Sequence, residues 1–175
     1  MQNHPTSTPL MLRRFDLQPP GQSAPAWVTR EWFNSPRAIQ LADLRGKVVV
    51  VHAFQMLCPG CVQQGLPQAQ RIHATFDPNA VAVIGLHTVF EHHAAMTPVS
   101  LRAFLHEYRI GFPVGVDAPA ADARTSIPTT MQAYEMQGTP TLLLIDRRGD
   151  LRHQSFGAVD DIAVGAAIAT LILEA

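Results

Sequence analysis

The sequence predicts an α/β fold in which a central mixed β-sheet is flanked by helices. Residues Lys47–Phe54 form a nearly continuous β-branched run, which is typical of a strand buried on both faces. A second apolar run, Ala80–Thr88, follows a helical pattern and suggests a parallel strand–helix–strand unit. Near the C-terminus, Thr141–Phe156 has the pattern of a β-hairpin followed by a helix. Parallel units joined to an antiparallel hairpin make a mixed sheet.

In the first half of the chain, three further elements are predicted around the central strand. Trp27–Phe33 gives a weak strand signal, and Leu41–Leu44 has the pattern of a short helical turn closed by Gly46. Val62–Phe76 is predicted to be a helix. Pro67 lies inside that helix and should kink it, because proline has no amide N–H to donate.

The second half of the chain completes the alternation. Pro98–Ile110 has helical spacing, Phe112–Asp117 predicts a third short strand, and a short helix is expected around Met131–Tyr134. Gly149 supplies the positive φ of the hairpin turn, and Asp160 opens the C-terminal helix. Reactive groups in such sheets gather at the carboxyl ends of the strands, so the residues that follow Phe54 are the first place to look for chemistry.

The low charge of the chain argues against nucleic acids and anionic membranes as partners. The net charge is -1 and 15% of residues are charged, so the chain has no electrostatic footprint for nucleic acid or an anionic membrane. No apolar run is long enough to span a bilayer, and the N-terminus lacks the pattern of a secretory signal, which predicts a cytoplasmic protein. Residues 1–25 hold five of the 14 prolines and are predicted to be an extended or disordered arm, with residues 26–175 as one domain.

The two cysteines of the chain, Cys58 and Cys61, follow the strongest predicted strand and begin a helix. A disulfide across so short a loop stabilises a fold by only about 2 kcal/mol, so C-x-x-C chemistry is favoured over stapling. Residues three apart in the first helical turn lie within disulfide reach, and the helix N-terminus favours a thiolate. Cys58, nearer the free amides, is the predicted nucleophile and Cys61 the resolving thiol. No second pair of ligands completes a zinc site, so no metal is predicted.

A second motif, Gly138-Thr139-Pro140-Thr141, stands directly before the first strand of the hairpin. A cis Thr139–Pro140 bond would place the Thr139 backbone beside the cysteine pair. The residues alone leave both isomers open, with trans the commoner form of an X–Pro bond.

Taken together, these motifs resemble the thioredoxin fold, and within it the TlpA/ResA-like thiol–disulfide oxidoreductases of the redoxin (AhpC/TSA) superfamily. The resemblance runs from about Ala26 to the end of the chain, and the stretch after the second strand is most similar to the DipZ-like branch. It rests on LADLRGKVVVVHAF, CPGC, VIGLHT, FPVGVD, GTPT and LLIDRRGDLRHQSFG. The resemblance implies that Cys58 attacks a disulfide, that Cys61 resolves it, and that cis Pro140 with Thr139 shapes the substrate groove.

Three positions depart from the family pattern. Leu57 replaces the usual Trp before the first cysteine, Gln64 replaces a Glu that handles protons in related members, and Pro67 falls one residue late. The proton acceptor for the resolving thiol therefore has no assigned residue. We hypothesise that His87 or Glu91, at the end of the second predicted strand, assists proton transfer.

The histidines admit other interpretations. His87, Glu91, His92 and His93 could suggest a metal site, but adjacent histidines in a loop point apart and the block has no helical i, i+4 pair. A polar loop is the simpler interpretation. His52, inside the buried strand, is expected to be a core histidine with its hydrogen bonds satisfied.

The sequence thus predicts a thiol–disulfide oxidoreductase that needs no cofactor and acts on protein or small-molecule disulfides and thiols, in an undetermined oligomeric state. One alternative is an antioxidant thiol peroxidase with Cys58 as the peroxidatic cysteine. It is disfavoured because Gln55 stands where the peroxiredoxin motif has Thr. A second alternative is a redox sensor or binding module that turns over no substrate.

Overall fold

The computed structural model describes residues 15–122 and 124–174, which form a six-stranded sheet with helices on both faces. The order of the strands across the sheet is β1-β4-β3-β2-β5-β6. Their bounds are β1 Thr29–Phe33, β2 Val48–Phe54, β3 Val81–His87, β4 Val114–Asp117, β5 Thr141–Ile145 and β6 Leu151–Phe156.

The pairing confirms the predicted mixed sheet. Strand β2 is central and pairs in parallel with β3, which pairs in parallel with β4. The other edge of β2 pairs antiparallel with β5, and β5 pairs antiparallel with β6. Every residue of β2 is buried, as its unbroken apolar run requires. Gly149 adopts a φ of 86° in the hairpin turn between β5 and β6.

The helices are α1 Leu66–Thr75, α2 Pro98–Glu107, α3 Thr129–Ala133 and α4 Asp161–Leu173. Asp160 caps α4 by accepting hydrogen bonds from the amides of Ile162 and Ala163. Leu41–Leu44 forms one 3₁₀ turn. No helix of residues 15–122 and 124–174 is long and apolar enough to cross a bilayer.

The predicted kink after the cysteines takes a particular form. Residues Cys61–Gly65 wind as a π-helical turn, and α1 follows that turn from Leu66. Pro67 stands in the first turn of α1, where a missing amide N–H costs least. The predicted single helix thus consists of a π-helical turn before Pro67 and regular α-helix around and after it.

Two hydrophobic cores lie on opposite faces of the sheet. Alternate residues of β2 divide between them: Val50 and Phe54 face α1, α2 and α4, while Val51 and Ala53 face α3. Cys61 belongs to the first core. The cysteine motif is therefore anchored on the face that carries α1 and α4.

The predicted arm is described from residue 15, and residues 1–14 lie outside the described residues. Its described part runs beside β6. The amide of Gln18 donates to the carbonyl of Arg152 (2.6 Å), the amide of Leu151 donates to Gln22 (2.8 Å), and Ser23 forms a β-bridge with Asp150. Residues 15–25 are thus extended, and the boundary after residue 25 stays a prediction.

Candidate active site

The cysteine motif lies at the carboxyl end of β2, the edge of the sheet where chemistry was expected. The Cα atoms of Cys58 and Cys61 are 5.2 Å apart and their sulfurs are at disulfide distance. Cys61 is completely buried, whereas Cys58 is only partly buried. Leu57, in place of the usual aromatic residue, is 57% exposed beside them. One sulfur of the pair is therefore open to a partner and the other is not.

Backbone groups surround the Cys58 sulfur. The amide N–H of Cys61 points at Cys58 Sγ (3.2 Å), and the carbonyl oxygen of Thr139 lies 3.4 Å from the same atom. An amide donor beside a sulfur stabilises its thiolate, because hydrogen bonding to the charged form favours that form. The surroundings of Cys58 thus suit a nucleophilic thiolate in the reduced protein.

The second motif faces the first, as the resemblance implied. The Thr139–Pro140 peptide bond is cis. A Cβ atom added at Gly60 would stand 3.3 Å from Pro140 Cδ, and one added at Gly65 would stand 3.2 Å from Pro140 Cβ. Both glycines therefore let the motif helix approach Pro140 closely. Sequence reasoning did not single them out, although each flanks Cys61 in the helical segment.

A cavity of about 640 Å³ opens beside Pro140. One side is formed by Gln64 and Gly65 of the π-helical turn, and the opposite side by the start of α4. His52 of β2 lines it from the sheet. The cavity brings a buried imidazole next to the turn that carries the resolving cysteine.

His52 is buried as predicted, at 2% exposure, but the expectation that its hydrogen bonds are satisfied was wrong. Neither ring nitrogen has a hydrogen-bond partner among the described residues. Its Nδ1 atom lies 3.6 Å from the position that a Cβ on Gly65 would take, so the ring lies beside that glycine. Burial lowers the pKa of His52 to about 4, and the nearby carboxylate of Asp161 opposes that shift. The imidazole is therefore neutral at neutral pH.

The two residues of the relay hypothesis lie at the end of β3 and beyond it. His87 is 1% exposed and its ring stands 5.3 Å from that of Phe54. Burial lowers the pKa of His87 to about 4. Glu91 is exposed, and its Oε1 atom lies 3.4 Å from Gln55 Nε2. No hydrogen bond within the described chain joins either residue to a cysteine, and their role in proton transfer stays a prediction.

Gln55, the residue that separates this chain from the peroxiredoxin motif, is buried and engaged elsewhere. Its Oε1 atom accepts a hydrogen bond from the amide of Phe90 (3.3 Å), while its Nε2 atom faces Glu91. The side-chain amide thus holds the loop after β3. Among residues 15–122 and 124–174, no group of three or more His, Cys, Asp or Glu side chains could hold a metal ion.

Comparison with known proteins finds relatives in the family that the sequence motifs resemble. The model of the AhpC/TSA family matches residues 20–154. DipZ of Mycobacterium bovis is 30% identical over 131 residues, which are 74% of this chain but only 17% of that protein. The oxidoreductase ResA of Bacillus thuringiensis is 26% identical over 137 residues, covering 78% of this chain and 69% of ResA.

Two solved structures are more similar. A thioredoxin-like superfamily protein shares 60% identity, with a TM-score of 0.85 over 89% of this chain and 99% of the other. A thiol–disulfide isomerase from Corynebacterium glutamicum shares 49% identity, with a TM-score of 0.82 over 87% and 98% of the two chains. The chain therefore belongs to the AhpC/TSA family, among its thioredoxin-like thiol–disulfide oxidoreductases.

Proposed function

We propose that this protein catalyses thiol–disulfide exchange with Cys58 as the attacking thiolate and Cys61 as the resolving thiol. The observation that carries the proposal is the asymmetry of the pair: Cys58 is partly exposed and faces Thr139, while Cys61 is fully buried. Only an exposed sulfur can reach a sulfur of another molecule. Protein disulfides and small disulfides are both substrates of this class of reaction.

The exchange balances in two steps. Cys58 thiolate attacks one sulfur of a substrate disulfide, forming a mixed disulfide and releasing the other sulfur as a thiolate. Cys61 then loses its proton and attacks Cys58 Sγ, which expels the second substrate sulfur and leaves the Cys58–Cys61 disulfide. The substrate gains two electrons and the protein loses two. The reverse sequence oxidises a dithiol.

The cis Thr139–Pro140 segment supports a place for the substrate chain. Its carbonyl oxygen at Thr139 stands next to Cys58 Sγ, so a bound peptide would lie across this segment with its disulfide at the attacking sulfur. We assign Thr139 and Pro140 to the substrate groove on that basis.

The second step requires a group that takes the Cys61 proton, and His52 joins His87 and Glu91 as a candidate. His52 is neutral, unpartnered in the described chain and packed against Gly65, the end of the turn that begins at Cys61. Its cavity gives the proton a path to solvent. Replacing His52, His87 and Glu91 in turn, and following the pH dependence of the second step, separates the three candidates.

Trapping the mixed disulfide tests the roles of the two cysteines. Reduced Cys61→Ser should hold a stable covalent adduct with a test protein whose disulfides are intact, because Cys58 still attacks the disulfide and the resolving step is removed. Cys58→Ser is the matched control and should form no adduct. Adducts that form through Cys61 alone would reverse the assignment.

The two alternative functions, a thiol peroxidase and a redox sensor, differ from thiol–disulfide exchange in the substrate that they turn over. A thiol peroxidase oxidises Cys58 to a sulfenic acid with hydrogen peroxide, and the engagement of Gln55 with the loop after β3 gives that activity no support. Peroxide that consumes the reduced thiols far faster than a small disulfide does would establish the antioxidant role. Cysteines that oxidise once without catalysing insulin reduction would indicate a redox sensor.

The cytoplasm is the location we propose for this activity. The chain has no cysteine besides the redox pair, which suits a compartment where structural disulfides are rare. Fractionation of cells that express the tagged native gene tests it, and recovery outside the cytoplasm would overturn it.

A further inference from the structure

We propose that a second cavity, distinct from the one beside Pro140, binds the carboxylate of a small organic acid. The cavity encloses about 480 Å³ between the ends of β3 and β4, the beginning of α2 and the loop after β4. Neither cysteine nor Pro140 contributes to its wall. Its size falls within the range of about 300–1,000 Å³ that small-molecule pockets occupy.

A cation without a partner stands at the cavity. Arg30 lines it and is exposed, and within the described residues its guanidinium makes no hydrogen bond or ion pair. The pairing of β1 with β4 shifts register between Thr29 and Glu31, so Arg30 occupies a β-bulge. Bulges re-aim side chains and are common beside binding sites. The backbone irregularity thus delivers one unpaired guanidinium to this cavity.

A buried polar group without a partner lines the same cavity. His87 is 1% exposed, and neither of its ring nitrogens has a hydrogen-bond partner among residues 15–122 and 124–174. Buried polar groups in native proteins are nearly always paired, so an orphaned imidazole on a cavity wall indicates a group that is supplied by a ligand. In its neutral form the ring offers one N–H donor and one acceptor.

The remaining charges at the cavity favour an anion. Among the described residues that line it, Asp117 is the only acidic one, and its carboxylate is held by Thr88 Oγ1 (3.0 Å) and by the amides of Thr130 (2.8 Å) and Met131 (3.0 Å). Burial raises the pKa of Asp117, and the hydrogen bonds from Thr130, Thr88 and Met131 oppose that shift. The N-terminal end of α2, with its partial positive charge, begins at the same wall.

These features together describe one class of ligand. A carboxylate would pair with the Arg30 guanidinium through two parallel hydrogen bonds, which is the geometry that arginine favours. The N–H of His87 would donate to the ligand deeper in the cavity. Met96 and Val116, both buried, offer apolar surface to a short carbon chain. The cavity therefore fits a compact monocarboxylic acid better than a neutral or cationic molecule.

Titration of the full chain with sodium butyrate tests the proposal, with butyramide as the neutral analogue of the same shape. Binding is followed by calorimetry and by the amide NMR signals of residues that line the cavity. We expect butyrate to bind in the millimolar range or tighter, and butyramide to bind at least about tenfold more weakly. Arg30→Gln should weaken butyrate binding by about tenfold or more, and Arg30→Lys by less, because lysine keeps the charge and loses the fork.

Arg102→Gln is the matched control, because Arg102 on α2 is also an exposed arginine and does not line this cavity. It should leave butyrate binding unchanged. His87→Gln should also weaken binding, while Arg30 variants keep the test valid if that buried replacement unfolds the protein. Equal affinity for butyrate and butyramide, or no effect of Arg30→Gln, would overturn the proposal. Binding of an acidic tripeptide in the absence of butyrate binding would also overturn it and assign the cavity to a protein partner.

Discussion

The structure holds two buried histidines on neighbouring strands, and they differ in what surrounds them. His52 on β2 and His87 on β3 are both unpartnered among the described residues, and burial lowers the pKa of each to about 4. His52 lines a cavity that includes Pro140 and the turn after Cys61. His87 lines a cavity that includes Arg30, whose guanidinium has no partner in the described part of the chain. We therefore propose different roles for the same side chain in the same protonation state, proton transfer for His52 and ligand binding for His87, according to their neighbours.

The largest expected effect is the complete loss of thiol–disulfide exchange. Cys58→Ser should lower the rate of insulin-disulfide reduction to that of the uncatalysed reaction, because Cys61 is too deeply buried to attack. Butyrate binding at the second cavity should be unchanged in the same variant. Residual catalysis by Cys58→Ser would contradict the assignment of Cys58 as the attacking thiolate.

Exchange kinetics of His52→Gln and His87→Gln distinguish the two regions directly. We expect His52→Gln to slow the resolving step on the order of 10²-fold, the usual contribution of a general base. The readout is the pH profile of mixed-disulfide decay in stopped flow, which a purely structural role would not move. A larger effect from His87→Gln would restore the relay hypothesis for that residue.

Both histidines should make the fold less stable in acid. A folded-state pKa of about 4, below the ordinary value of 6.5, means that the unfolded chain binds protons first as the pH falls. Each histidine therefore contributes about 3 kcal/mol to the free energy of unfolding above about pH 6.5. This contribution is lost as the pH falls from 6.5 to 4. Urea unfolding at pH 7 and pH 4.5 measures this loss. A loss that is as large in each glutamine variant as in the wild type would contradict the assignment.

The smallest effect compares two glycines. Gly65→Ala places a Cβ 3.2 Å from Pro140 Cβ and should cost about 1 kcal/mol of stability as well as exchange activity. Gly165→Ala, in the middle of α4 with no atom within 4 Å, should instead stabilise the protein by about 0.5–1 kcal/mol. Thermal unfolding of the two variants measures the difference. Equal behaviour would show that the contact with Pro140 has room to relax.

Features that depend on neighbouring residues could be predicted from the sequence, whereas contacts between residues far apart in the chain could not. The run Lys47–Phe54 reveals its strand because burial on both faces leaves a local pattern, and C-x-x-C announces its chemistry within four residues. The contact of Gly65 with Pro140 joins distant parts of the chain and leaves no such pattern. The lack of a partner for His52 depends on every element packed around it. The placement of Arg30 depends on one shift of strand register.

The stretch of chain that precedes β1 covers part of an edge strand of the sheet. Strand β6 stands at the margin of the sheet, where free backbone groups invite a second molecule to add its own strand. Gln18, Gln22 and Ser23 already occupy part of that margin through backbone pairing with residues 150–152. A shortened version beginning at Ala26 would expose the unpaired backbone groups of β6. Its expected signature is concentration-dependent aggregation, visible in light scattering, with the redox pair still intact.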